Sequence, residues 1–455
     1  MKKIIYLLLF TLPVTVCAQQ SWMNVGPRGF SPGAVVSTSF AFSPSGEPYM
    51  AFTDLNDSTK ATVMKFDGTN WLFVGNQGFS EVNSIYLSLA FSPSGEPYLA
   101  YQDATFGGYT TVVKKFDGSN WVYVGIPGFT SGSANYIRLA FNPVSGEPYV
   151  AFMDMSVYKA TVMKFNGVDW AIVGNVGFSA GSPSYVSLAF SPSGEPYVAY
   201  SDDSYTWKTA VMKYDGLNWV LVGGAGISVA DASYQSLAFD SSGILYVAYE
   251  DWGNSKKVTV LKFDGNVWVN VGNAGFTGGE SEHLDLAFSP SNEPYVAYED
   301  FPNFHKISVM KYDGANWAYV GNAGISESEA RYNNIAFNPS GVLYVGFTDD
   351  VGGPPPGTAA TVMKFDFPSG LNELSDSKFS LNPNPASDLV NLNIRDLNNV
   401  EMTLNIYDGI GKLILSEKLR QNQKQINTRD LCNGIYLVEI KSKVISEKKK
   451  LIIQR

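Results

Sequence analysis

The sequence predicts an all-β protein: a seven-bladed β-propeller closed by its own N-terminal strand, followed by a small immunoglobulin-like β-sandwich. Three observations predict it. A Gly-Glu-Pro-Tyr phrase with close variants recurs seven times, its Tyr falling at Tyr49, Tyr98, Tyr149, Tyr197, Tyr246, Tyr295 and Tyr344. The steps are 49, 51, 48, 49, 49 and 49 residues, so one supersecondary unit is copied and each copy buries its apolar face against its neighbours. Each copy also reads as four short strands. Finally, a fourth-strand Trp recurs only six times, at Trp71, Trp121, Trp170, Trp219, Trp268 and Trp317, while Trp22 stands alone near the start of the chain.

The elements follow in order. Residues 1–18 read as a signal peptide: Lys2 and Lys3, an apolar run from Ile4 to Leu12, then the small-residue cleavage site Val16-Cys17-Ala18. The run is too short to span a membrane and no other segment approaches that length. Ser21-Trp22-Met23-Asn24-Val25-Gly26 matches the fourth strand that the last copy lacks, and its pairing there would close the ring and remove exposed strand edges.

In the second copy Tyr86–Phe91 alternates as a first strand and Ser92-Pro-Ser-Gly95 turns. Glu96–Tyr101 is a second strand running to Asp103, Thr111–Phe116 a third, and Trp121–Gly125 a fourth after the Asp117-Gly118 hairpin turn. Four strands in about 49 residues describe a propeller blade. The domain is read as 19–367, with a linker at 368–376 and a second domain at 377–455. Aromatic residues make up 14% and charged residues 16%, which suits an aromatic-packed β protein and excludes a disordered chain.

Of 32 Lys+Arg and 42 Asp+Glu, residues 19–371 hold 17 and 32, a net of −15. Such a surface repels nucleic acid and attracts cations. Cys432 is the one cysteine left after cleavage, so neither disulfides nor a cysteine nucleophile support the repeats.

The first-to-second and third-to-fourth turns barely change between copies, whereas the other loops vary, so ligand binding is expected on the variable face. Three sets of candidates lie there. An Asp follows every second strand, at Asp54, Asp103, Asp154, Asp202, Asp251, Asp300 and Asp349. The set reads first as seven loop caps; the alternative is an acidic ring that collects Ca²⁺ or a cationic ligand, and no cofactor is assigned beyond that Ca²⁺. The variable loops carry aromatic residues, Tyr109, Trp207, Trp252 and Phe304 with His305, which would stack on a sugar beside carboxylates. Tyr opens most first strands, but the sixth copy has His283 there, flanked by Glu280, Glu282 and Asp285. Its register favours a packing role; a ligand role is the alternative.

Catalytic signatures such as Gly-x-Ser-x-Gly and His-Glu-x-x-His are missing, so no catalytic residue is assigned. The Phe-Asp-Gly-x-Asn-Trp turn resembles the aspartate box of sialidase propellers, but the Ser is replaced and the spacing is one residue short, so a shared turn is read, not a shared activity.

After Asp366 come Asn382-Pro383-Asn384-Pro385, Ile406-Tyr407-Asp408 with Gly411-Lys412, Gly434-Ile435-Tyr436-Leu437 and the basic-then-apolar end Lys448–Ile453. In this order they resemble the C-terminal sorting domain of type IX (Por) secretion substrates of Bacteroidetes. The resemblance implies Sec export to the periplasm, recognition by the type IX machinery, and release or display at the outer-membrane surface. The expectation is a secreted, monomeric, non-catalytic propeller that binds a glycan or an extracellular protein. A carbohydrate-active hydrolase or lyase using Asp203, Glu250 or Glu299 is the first alternative, and a structural surface protein the second.

Overall fold

The structure is a computed structural model that describes residues 21–352, 357–366, 379–384, 386–394, 402–408, 413–419, 423–432, 434–441 and 446–453. The expected signal peptide and linker lie outside the described residues. The chain divides into two compact units, Trp22–Asp366 and one that contains Phe367–Arg455.

The first unit is all-β. In the second copy the strands are Ser84–Phe91, Pro97–Asp103, Thr110–Phe116 and Trp121–Tyr123, paired antiparallel in that order. The first six copies each form one such four-stranded sheet. The seventh supplies three strands, Ala330–Phe337, Leu343–Asp350 and Thr358–Asp366, and Ser21–Asn24 pairs beside the last of them as the fourth.

A repeated contact accompanies this arrangement. The indole Nε1 of Trp121 donates to the Val74 carbonyl of the preceding copy at 2.7 Å. Trp170, Trp219, Trp268 and Trp317 do the same to Val124, Val173, Val222 and Val271. Trp71 donates to Val25 in the N-terminal segment, and Trp22 to Val320 of the sixth copy. Each accepting Val is followed by a left-handed Gly. At Gly75, φ is +76° and a Cβ would come within 3.0 Å of Trp121 Cδ1, so only glycine permits both the turn and the stacking distance.

The apolar cores lie between neighbouring sheets. Tyr49, Ala51 and Val63 of the first copy pack with Leu89, Leu99, Tyr101 and Trp121 of the second. One aromatic slot recurs two residues before the capping Asp, at Phe52, Tyr101, Phe152, Tyr200, Tyr249, Tyr298 and Phe347, and all seven are fully buried. The first strands of successive copies pack side by side, and the seventh packs against the first.

In the second unit Phe379–Asn382, Leu389–Ile394 and Gln423–Asn427 form one antiparallel sheet. Leu413–Leu419, Met402–Tyr407, Gly434–Lys441 and Ser446–Ile453 form another. Both sheets feed one core that includes Phe379, Val390, Leu392, Leu404, Ile406, Val438 and Leu451.

Candidate functional site

The site grows from three residue slots that every copy repeats and some copies alter. The first is the capping Asp. All seven are buried. Asp54, Asp103, Asp154, Asp202 and Asp251 each accept from the backbone N–H two residues on. Asp300 accepts from Ser308 and Asn303. Asp349 takes Arg28, through Nε at 2.6 Å and Nη2 at 2.9 Å. None of the seven belongs to a group of side chains that could share a metal ion. Among the described residues the bonds of Asp54, Asp103, Asp154, Asp202, Asp251 and Asp300 follow the loop-cap reading, while Asp349 is held by Arg28 of the N-terminal segment.

The second slot is the third residue of each first strand: Ser37, Tyr86, Tyr136, Tyr185, Tyr234, His283 and Tyr332. All seven have left-handed backbones, with φ between 46° and 55°. Each sits at a bulge, where the strand register skips between its neighbours, as between Ile85 and Ser88. A bulky residue at positive φ costs about 1–3 kcal/mol and is kept only where its surroundings impose it; here the bulge turns each ring toward the next. Consecutive centroids lie 5.4, 5.4, 4.6, 4.8 and 4.4 Å apart from Tyr86 to Tyr332. The arc is open at Ser37. His283 takes the tyrosine's place in it, packed between Tyr234 and Tyr332, as its register suggests. Burial and the nearby Arg331 push its imidazole down to about 4, so it is neutral at physiological pH.

Two residues further on, Ser39, Ser88, Ser187 and Ser236 each accept the next copy's backbone N–H. Asp285 and Asn334 do the same toward Ile335 and Phe40. Arg138 fills this slot in the third copy and has no lone pair to offer. Burial raises the Asp285 carboxyl and the Arg138 charge opposes that shift.

The third slot immediately precedes the capping Asp: Thr53, Gln102, Met153, Ser201, Glu250, Glu299 and Thr348, all buried. In the fifth and sixth copies it holds an acid. Glu250 Oε2 accepts from Trp252 Nε1 at 3.1 Å, and the same indole N–H lies 3.2 Å from Ser233 Oγ. Its Oε1 is buried without a partner. Burial, with the Glu282 charge adding, pushes this carboxyl up to about 7 against those bonds. Glu299 Oε1 lies 2.8 Å from His305 Nδ1 and 3.8 Å from Arg331 Nε, while Oε2 is buried and unpartnered. Burial raises Glu299 too.

These residues meet. Ligand atoms of Glu250, Glu280 and Glu282 lie within 4.8 Å of one another, as do those of Glu282, His283 and Glu299, and of Glu299, His305 and Glu329. Five carboxyl groups and two imidazoles therefore run without a break across the fifth to seventh copies, against Lys256, paired with Glu280, and Arg331, paired with Glu329. Half-exposed Trp252 flanks the run, with the Lys256 ammonium 4.8 Å from its ring centre.

Three of the six residues expected to bind a ligand, Trp252, His283 and His305, come to this wall. Tyr109 and Trp207 occupy the slot of His305 in the second and fourth copies, one residue before the third strand. They share its left-handed backbone, with φ of 57°, 57° and 58°. Their carbonyls accept the first N–H of the next copy's first strand, from Ala134, Ala232 and Ala330. Half-exposed Tyr109 and Trp207 thus belong to other copies, and strongly exposed Phe304 caps a 3₁₀ turn. What single-copy reading missed is the convergence of Glu250, Glu280, Glu282, Glu299 and Glu329. The legible signal was an acid in slots where other copies hold Thr, Gln, Met or Ser.

Residues 380–454 match the secretion system C-terminal sorting domain family. The chain thus carries the type IX sorting tail at its C-terminus and is exported, to the cell surface or the medium. No helix among the described residues is long and apolar enough to cross a membrane. No curated protein matches the chain. A protein of unknown function from Dyadobacter fermentans is 13% identical, over 76% of this chain and 98% of that one, with a TM-score of 0.44. A polysaccharide lyase family 25 ulvan lyase, bound to -[GlcA(1-4)Rha3S]-, is 12% identical over 78% and 96%, with a TM-score of 0.47. A Penicillium chrysogenum α-L-arabinanase in complex with arabinobiose is 12% identical over 77% and 98%, with a TM-score of 0.42. At these scores the likenesses carry no argument about chemistry.

Proposed function

We propose that this chain is an exported, closed seven-bladed β-propeller that binds a ligand without catalysis, a glycan in the first reading and an extracellular protein in the second. Closure is supported by the succession of Trp–Val bonds that returns through Val25 and Trp22. Removing residues 21–26 should lower the melting temperature by more than 10 °C; an unchanged transition would reject closure.

One observation carries the binding reading: the residues that break the repeat gather in one wall. A half-exposed indole beside carboxylate acceptors and a run of tyrosines offers the stacking face and hydrogen-bond acceptors that saccharide hydroxyls need. The mature protein should retain an acidic or neutral polysaccharide in affinity electrophoresis, and Trp252→Ala should weaken retention about tenfold, the loss of one stacking contact. Retention unaltered by Trp252→Ala, or no retention with a protein captured instead, moves the ligand to the second reading.

A hydrolase or lyase on the same wall is favoured by one specific observation, two buried carboxyls, Glu250 and Glu299, each with a bare oxygen. Depolymerisation of the retained polysaccharide that is lost in Glu250→Gln or Glu299→Gln would replace the binding reading.

A further inference from the structure

Copy six pairs two acids directly opposite each other on neighbouring antiparallel strands, Glu282 with Glu299. No other copy does so; the equivalent pairs are Val36 with Thr53, Ile85 with Gln102, Asn135 with Met153, Ser184 with Ser201, Ser233 with Glu250 and Arg331 with Thr348. Like charges directly opposite destabilise a sheet, and a buried acid with a bare oxygen adds a desolvation cost of about 1–3 kcal/mol. Both costs fall in the one copy that also replaces the ring tyrosine with histidine.

The orientation of Glu299 relates the three. Its Oε1 is held by His305 and approached by Arg331, which leaves Oε2 for another partner. The Glu299 side chain is 2% exposed, and its Oε2 lies 3.9 Å from His283 Nε2. Two donors with bonds of about 2.1 Å to a shared ion can stand up to about 4.2 Å apart. The Glu282 carboxylate completes a trio within 4.8 Å, and Tyr234 O–H donates to its Oε2 at 3.3 Å. The trio therefore has an outer layer of its own, with His305 and Tyr234 steering the two carboxylates, as metal-binding carboxylates require.

We propose that Glu282, His283 and Glu299 hold one divalent transition-metal ion on the wall of the repeat domain. Two carboxylate oxygens and one imidazole nitrogen suit Zn²⁺ or Mn²⁺ better than Ca²⁺, which takes oxygen ligands alone. The inference does not depend on the glycan reading.

The repeats supply the test variants. His283→Tyr restores the residue of five other copies, and Glu299→Thr restores that of the first and seventh, so both keep the packing of their neighbours. The mature protein, stripped with EDTA, is titrated with ZnCl₂ by calorimetry, and folding of each variant is checked by near-ultraviolet circular dichroism. One Zn²⁺ per chain is expected, with affinity lowered at least tenfold in each variant. His305→Tyr should weaken binding less than His283→Tyr. Absence of saturable Zn²⁺ and Mn²⁺ binding overturns the proposal, and so does binding unchanged in either His283→Tyr or Glu299→Thr. A larger loss in His305→Tyr would move the ion to the Glu299–His305–Glu329 trio and overturn the assignment. For a variant that does not fold, Co²⁺ added to the native protein decides: visible bands of low-symmetry coordination are expected, and an octahedral aqua spectrum refutes the site.

Discussion

Copies one to four and copies five and six use the same backbone for different ends. In the first group the slot before the capping Asp holds residues without charge, and three of them give a proton to a carbonyl: Thr53 to Ser84, Gln102 to Ala134 and Ser201 to Trp207. In copies five and six the slot holds Glu250 and Glu299. A carboxylate has no proton to give, so the donation is lost and one oxygen of each is left bare. The capping Asp, the buried aromatic slot and the Trp–Val bonds continue through both groups. The repeat thus separates the two demands on the chain: positions common to all copies carry stability, and positions that depart from them carry an energetic cost that a ligand would offset.

The largest effect should be blind to this division. Phe152→Ala in the third copy and Tyr298→Ala in the sixth should each cost about 3–5 kcal/mol in chemical denaturation, because both empty a fully buried aromatic slot. A difference above about 2 kcal/mol between the two would show that the scaffold itself is not shared. Next comes transfer of the acid into the first group. Ser201→Glu should destabilise by about 2–4 kcal/mol, since it removes a donor and buries a carboxyl without Trp252 or His305 to receive it. No cost there would mean the slot tolerates acids anywhere, and the contrast would collapse.

The smallest effect is pH-dependent. The Glu250 carboxyl ordinarily titrates at 4.5 and in the fold is pushed up to about 7. Between those values the unfolded chain has released the proton and the folded chain still holds it. Its stabilising contribution is therefore full below about pH 4.5, falls as pH rises, and is gone above about 7. The groups around it are Glu280, Glu282, Lys256, Trp252 and Ser233, with Tyr185 and Tyr234 near enough to feel its charge. In EDTA, Glu250→Gln should show an advantage in unfolding free energy that grows from pH 4.5 to 7, by at most about 1.4 kcal/mol per pH unit. A constant offset across that range would remove Glu250 as the titrating group.

Much of this was legible in the residues. The 49-residue period, the four-strand reading of each copy and the displaced Trp22 follow from local rules: turn chemistry, alternation and one large aromatic residue per strand. The strand bounds agree to within a few residues, as Tyr86–Phe91 against Ser84–Phe91 shows. The sorting tail was also readable, because its motifs are contiguous. The acidic slot was seen with two readings, seven loop caps or a ring. Five of the seven aspartates cap the backbone two residues on, Asp300 takes Asn303 and Ser308, and Asp349 takes Arg28, choices made by hydrogen bonds and not by the period. Of the six residues proposed for a ligand, three converge. Those that do not, Tyr109 and Trp207 above all, share a backbone slot with His305 and differ in which copy carries them.

The sequence by itself determined the all-β class, the repeat, the export tail and the residues that depart from the pattern. Periodicity and turn residues are properties of short segments and need no knowledge of distant ones. Only the tertiary structure decided that Glu250 faces Glu280 and Glu282 across a sheet boundary, that Glu282 lies opposite Glu299, and that His283 completes both a tyrosine arc and a carboxylate pair. Those meetings join residues about 16 to 50 positions apart: strand pairing sets Glu282 opposite Glu299, the bulged first strand turns His283 toward its neighbours, and the packing of adjacent copies brings Glu250 to Glu280 and Glu282.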